Sequence, residues 1–197
     1  QSLCEFTLYE GNKQYGKLYI SDGINKVAEI VIEVTNAGVY TYSFKEVNRS
    51  APTDPDFVTL FSERLVVAGQ SNNPQQVAYS TRLVPENFTG SSAGTVDVGD
   101  QIVGIKSFRN KLIIFCKNSI FKLINISDSD NIAVVPITKN VGCLDGNSIQ
   151  EIGGDLLFLS PDGIRTVAGT ARIGDVELSS VSRQIQKITT VIADGIN

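Results

Sequence analysis

One pattern recurs four times in this chain and narrows what it can fold into. A polar pair precedes a leucine, an apolar run follows, polar turn residues interrupt it, and a second apolar run comes back. The pairs are Gly16-Lys17, Glu63-Arg64, Asn110-Lys111 and Gly154-Asp155, and the leucines Leu18, Leu65, Leu112 and Leu156 stand 47, 47 and 44 residues apart. A period of about 40–50 residues with several strands per unit is the sequence signature of a propeller blade. One four-stranded sheet cannot cover both its faces, so neighbours stack around an axis and bury each other.

The predicted fold is therefore all-β: a β-propeller or part of one. Its four-stranded antiparallel blades repeat every 44–47 residues, with blade-like units around 14–50, 58–98, 102–140 and 148–180. A β-sandwich or an irregular multi-sheet domain is the competing architecture. Four repeats are few for a closed ring. The chain also begins at Gln1 and contains no Met and no Trp. It is therefore read as a fragment of a larger protein, its ring continuing beyond Asn197 or completed by other chains.

The strand pattern supports this reading along most of the sequence. Val27–Val34 and Val39–Phe44 flank Asn36-Ala37-Gly38, the pattern of a hairpin with a glycine-containing loop. In the second run Tyr40, Tyr42 and Phe44 alternate with Val39, Thr41 and Ser43, so one face is predicted to be buried. Asp22-Gly23 after Leu18–Ser21, and Asp162-Gly163 after Leu156–Pro161, predict tight hairpins, because Asp-Gly reaches the positive φ that such turns need. Lys117-Asn118-Ser119 separates Leu112–Cys116 from Ile120–Leu123, and a longer loop, Gln70 to Gln76, is expected between Leu65–Gly69 and Val77–Ser80. Ile102–Ile105, Ile132–Ile137 and Ser148–Ile152 supply outer strands, and Ile185, Ile188, Val191 and Ile192 fall at the spacing of a short helix.

Chemistry is hard to find in the sequence. There is no histidine, which removes Ser-His-Asp and Cys-His nucleophiles, His-containing metal sites and the commonest general base. Asp54 and Asp56 lie in a proline-broken linker. Asp128 and Asp130 open like a calcium loop but lack its central glycine and distal glutamate, so both pairs are read as solvated loop residues. Asp97 and Asp100 bracket Gly99 in an expected connection between blades. Cys4, Cys116 and Cys143 have no metal or redox spacing, and Cys116, inside an apolar run, is read as a buried inert thiol. Gly90-Ser91-Ser92-Ala93-Gly94 carries no phosphate-binding lysine, so Asn87–Ser92 is an exposed loop of the kind that contacts partners. No catalytic, cofactor-binding or metal residue is assigned, and the chain is expected not to be an enzyme. A net charge of -4 with scattered basic residues argues against tight nucleic-acid binding, and no apolar run approaches the length of a membrane-spanning helix.

The segment Phe61–Gly169 resembles the β-propeller virion proteins of tailed bacteriophages, including tail nozzle and packaged-DNA-stabilising proteins. The resemblance rests on Glu63–Gly69, Asn73-Pro74, Val77–Ser80, Asp100–Ile105, Phe108–Phe115, Asn118–Ile120, Val141–Cys143 and Gly153–Ile164. It implies a non-enzymatic structural component of the virion, located in the phage tail or neck. Its partners would be copies of itself in a ring, the portal, the adaptor and other tail proteins. DNA would pass through without sequence-specific binding. The other function considered is a ligand- or glycan-binding propeller module of a phage tail or baseplate, for which Tyr79, Tyr40 and Tyr42 are the candidate aromatics. Alternation assigns Tyr40 and Tyr42 to the core instead of a sugar platform.

Overall fold

A computed structural model describes residues 5–12, 15–34, 38–47, 50–128 and 131–168, together with 191 and 195. Over these residues the chain is all-β, made of four antiparallel sheets of three or four strands, each a meander of consecutive strands in the manner of propeller blades. The first sheet holds β1 (Glu5–Asn12), β2 (Tyr15–Ser21), β3 (Ala28–Val34) and β4 (Tyr40–Glu46). The second holds β5 (Phe57–Phe61), β6 (Arg64–Gln70), β7 (Asn73–Tyr79) and β8 (Gly94–Asp97). The third holds β9 (Ile102–Phe108), β10 (Lys111–Cys116), β11 (Ile120–Ile124) and β12 (Ala133–Thr138). The fourth, after a single 3-10 turn at Gly146–Ser148, holds β13 (Gln150–Ile152), β14 (Asp155–Ser160) and β15 (Gly163–Thr166). Two compact units result: Gln1–Gly99 with Asn125–Ile132, and Asp100–Ile124 with Ala133–Asn197.

The polar pair of the repeat has a structural meaning. In three sheets the leucine strand is entered through a two-residue turn whose residues are both left-handed: Ser62-Glu63 (φ 49 and 61), Arg109-Asn110 (φ 47 and 61) and Gly153-Gly154 (φ 61 and 78). This is the type I′ geometry that matches the twist of a hairpin. The first polar residue of each pair is thus the second turn residue, and the next one opens the strand.

Several local expectations change. Asp22-Gly23 does not close a two-residue turn, because β2 ends at Ser21 and β3 starts at Ala28. The Asp22 carboxylate instead accepts hydrogen bonds from the backbone N–H groups of Ile24 (3.0 Å) and Asn25 (2.8 Å), which opens the connection into a loop. In the fourth sheet Pro161 and Asp162 form the turn, and Gly163 (φ 125) pairs with Ser160 as the first residue of β15. Gln70–Gln76 is not a long loop: Gln70 pairs with Asn73, so the hairpin closes tightly with a bulge at Gly69 (φ 79), Gln70 being buried and Asn73–Gln75 exposed. Strands β1, β5 and β8 join the units at positions where no strand was anticipated. Of the segment in which a helix was expected, Val181–Ile196, only 191 and 195 are described, and both are helical; the Asn36-Ala37 turn lies outside the described residues.

In each unit two sheets stack with a consistent choice of faces. In the first unit Leu65, Val67, Val58 and Ala78 of the second sheet pack with Tyr19, Val27, Val47 and Ala51. In the second unit Leu156 and Phe158 of the fourth sheet pack with Ile113, Phe115 and Ile120 of the third, the rings of Phe115 and Phe158 lying 5.4 Å apart at 59°. The later sheet of each pair thus uses the face that carries its repeat leucine. The earlier sheet uses the opposite face, since side chains one residue apart on a strand point to opposite sides.

Candidate functional site

The carboxylates flagged by the sequence serve their own loops. Asp97 accepts from the Gly99 N–H (2.7 Å) and from Gln75 Nε2 (2.9 Å). Asp100 accepts from Asn118 N (2.9 Å) and Ser119 Oγ (2.6 Å), tying the start of β9 to the β10–β11 turn. Burial alone would raise the Asp100 pKa, but hydrogen bonds from Ser119, Asn118 and Gln101 outweigh it and hold the group below the usual carboxylate value. Asp128 accepts from Asn131 Nδ2 at 2.6 Å, whereas Asp130 lies outside the described residues. Asp54 departs from the solvated-loop reading, whereas Asp56 is exposed. Asp54 adopts φ 52 with Oδ1 buried and without a hydrogen-bond partner, and partial desolvation followed by the Asp54 charge raises the Asp56 pKa. No group of three or more His, Cys, Asp or Glu side chains among the described residues is arranged to hold a metal ion.

Cys116 and Cys143 are buried and free, and burial pushes their thiols up to about 12 and about 11. The thiolate is the reactive form, so both are inert near neutral pH. The backbone joins them directly, Cys143 N donating to Cys116 O at 2.9 Å. Cys4 lies outside the described residues.

Three buried charges among the described residues, Arg64, Glu29 and Arg165, escaped the sequence reading, Arg165 pairing with Asp162 at the β14–β15 turn. Arg64 is fully buried, its guanidinium donating to the backbone carbonyls of Ile126 (2.8 Å), Ser80 (2.7 Å) and Ser92 (2.5 Å) while stacking 5.5 Å from the Tyr79 ring centroid. Tyr79 is therefore core, which removes it as a sugar platform. Glu29 is also fully buried, with Lys17 at 3.5 Å and Lys45 at 2.6 Å. Lys17 further pairs with Glu86, which accepts from the Tyr19 hydroxyl at 3.2 Å. Burial pushes the Glu86 pKa up, but the Lys17 hydrogen bond and charge prevail and leave it lowered. Lys17, Tyr19, Glu29 and Lys45 share the covered face of the first sheet, whereas Arg64 opens β6 and Glu86 lies beyond β7.

The opposite face of that sheet is apolar and open. Register places Leu18, Ile30 and Phe44 in one cross-strand row, and Gly16, Ile32 and Tyr42 in the next. Tyr40, Tyr42 and Phe44 are 61%, 69% and 70% exposed, which overturns their assignment to the core. On the same face Leu18, Ile20, Ile30 and Ile32 are half-buried. Alternation separated the two faces of β4 but carried no information about coverage, and every residue of the strand is exposed. Monomeric proteins rarely expose a contiguous apolar patch of this kind without a use for it.

No family model matches the chain, and no curated protein matches it. No helix among the described residues is long and apolar enough to cross a membrane.

Proposed function

We propose that the chain is a non-enzymatic structural component of a tailed-phage virion, a tail nozzle or neck protein whose copies form a ring around the DNA exit channel. The observation that carries this reading is the construction of the molecule: stacked meander sheets whose largest unsatisfied feature is an apolar sheet face. Such a surface is suited to assembly. The resemblance over Phe61–Gly169 directs the reading to the virion, and the net charge of -4 suits a passage through which DNA slides without adhering. The test is quantitative mass spectrometry of purified virions. Peptides of this chain at a low, ring-like copy number are the expected result; their absence from particles would discard the virion reading.

A glycan-binding module of a phage tail or baseplate is the second reading, favoured by the outward Tyr40 and Tyr42. A glycan array probed with folded protein decides it, since a sugar platform predicts binding that is lost on Tyr42→Ala.

A further inference from the structure

The open face of the first sheet is the repeat equivalent of an interface the molecule already uses. Leu18 occupies the position of Leu65 and Leu156, and those leucines point at the sheet that precedes their own. Leu65 and Leu156 are fully buried there, whereas Leu18 is only half-buried. The first sheet has its other face covered in the way the third has, through Tyr19 and Val31 in one case and Ile113 and Phe115 in the other. Strand β6, in contrast, is buried along its whole length and on both faces.

Area decides what kind of occupant the open face needs. Aromatic side chains carry about 150–250 Å² each, so Tyr40, Tyr42 and Phe44 alone present about 300–500 Å². That already matches the largest patch of a typical monomer, about 300–600 Å². Adding the half-buried Leu18, Ile20, Ile30 and Ile32 of the same rows brings the face toward the ~800 Å² per partner of a standard protein interface. Adding a strand to the β4 edge would leave the aromatic rings in water; only a second sheet stacked on the face covers them. Charge points the same way, since Glu46 at one corner is the sole charged residue in the register rows of β2, β3 and β4 on this side.

We propose that this face binds a second copy of the chain, head to tail, through the fourth sheet's outer side. By the same repeat, that side is the one opposite Leu156 and Phe158. It carries Leu157, Leu159 and Ile164, which are half-buried and uncharged. The contact is heterologous: it uses two different patches, so it propagates into a ring or a filament in place of a closed dimer. The inference rests on the repeat and on exposure, not on the virion reading.

The experiment is analytical ultracentrifugation of the full chain and of two variants, Tyr42→Glu/Phe44→Glu and Leu157→Glu, each checked for native circular dichroism. The wild type is expected to sediment as concentration-dependent species larger than a dimer. Each variant alone is expected to be a monomer, and an equimolar mixture of the two to form a dimer that grows no further, since one intact patch of each kind remains. A wild type that stays monomeric at its highest soluble concentration overturns the proposal. So does a mixture that remains monomeric, or a Tyr42→Glu/Phe44→Glu protein that self-associates as the wild type does. Should Leu157→Glu fail to fold, Thr166→Glu on the neighbouring strand of the same face replaces it. Sugar binding by a monomeric wild type, lost in the Tyr42 variant, would assign the face to a glycan. Self-association is read on isolated protein, so its outcome and that of the virion measurement are independent.

Discussion

Glu29 and Lys45 face each other across β3 and β4 at 2.6 Å, the carboxylate wholly buried and the ammonium largely in solvent. Lys17 approaches the same carboxylate from β2, so two cations hold one anion on the covered side of the first sheet. A buried ion is tolerated only while it is paired; removing its partners leaves the desolvation penalty uncompensated. The double variant Lys17→Met/Lys45→Met is expected to lose about 3–5 kcal/mol in urea unfolding. Adding Glu29→Gln should restore most of it. An unchanged midpoint in the double variant would mean that the carboxylate is not a buried charge.

The three fully covered repeat leucines and the half-covered one should behave differently. Leu112→Ala and Leu156→Ala each remove a completely buried side chain and are expected to cost about 2–5 kcal/mol. Leu18→Ala, on the open face, should cost clearly less in the isolated chain. Equal losses at all four repeat leucines would show that the first sheet is covered on both sides. Chemical denaturation of the four alanine variants measures this directly.

The turn before β6 holds strain that substitution can relieve. Ser62 and Glu63 both adopt left-handed backbone, a geometry that Asn and Gly reach at lower cost. Ser62→Asn/Glu63→Gly is expected to stabilise the chain by about 1 kcal/mol. The exposed Glu63–Arg82 ion pair that disappears is worth only a few tenths of that. A lower thermal midpoint for this variant would contradict the turn assignment.

Thiol chemistry gives a pH test. With native pKa values of about 12 and about 11, Cys116 and Cys143 stay protonated in the folded state where an unfolded thiol, near 9, has begun to ionise. Folded pKa values above the unfolded one stabilise the native state below pH 9. That stability is lost as pH rises toward 11 and 12. In a Cys4→Ser background the native protein is expected to resist a thiol reagent at pH 8 and to expose both cysteines only on unfolding. Rapid stoichiometric labelling of the native protein would refute this.

The legible parts of the fold were those set by short-range chemistry. The Leu-run-turn-run pattern located β6, β10 and β14 and the strands paired behind them, because a buried central strand must be apolar on both faces. Strand β8 was hidden: Gly94–Asp97 is short and polar, and only its pairing with β7 makes it a strand. The hairpin tip at Gln70–Asn73 read as loop because its residues are polar, although Gln70 is buried and pairs with Asn73. Buried Glu29 and Arg64 were invisible because their partners come from distant positions, Glu29 drawing on Lys17 and Lys45 and Arg64 on Ser80, Ser92 and Ile126. The aromatic row of β4 was legible as a stripe, while its exposure depends on a neighbour that the strand itself does not encode.

Because every sheet is a meander of consecutive strands, its hydrogen-bonded partners lie close together along the chain. Loop-closure cost is then small, and each sheet can zip up as soon as its last strand emerges from the ribosome. The same arrangement governs how the chain yields when its two ends are pulled. Among the described residues no strand is shared between two sheets, so tension has no shared strand to defeat all at once. Extension should proceed as a train of similar rips, one per sheet, so that the chain gives ground piece by piece under load.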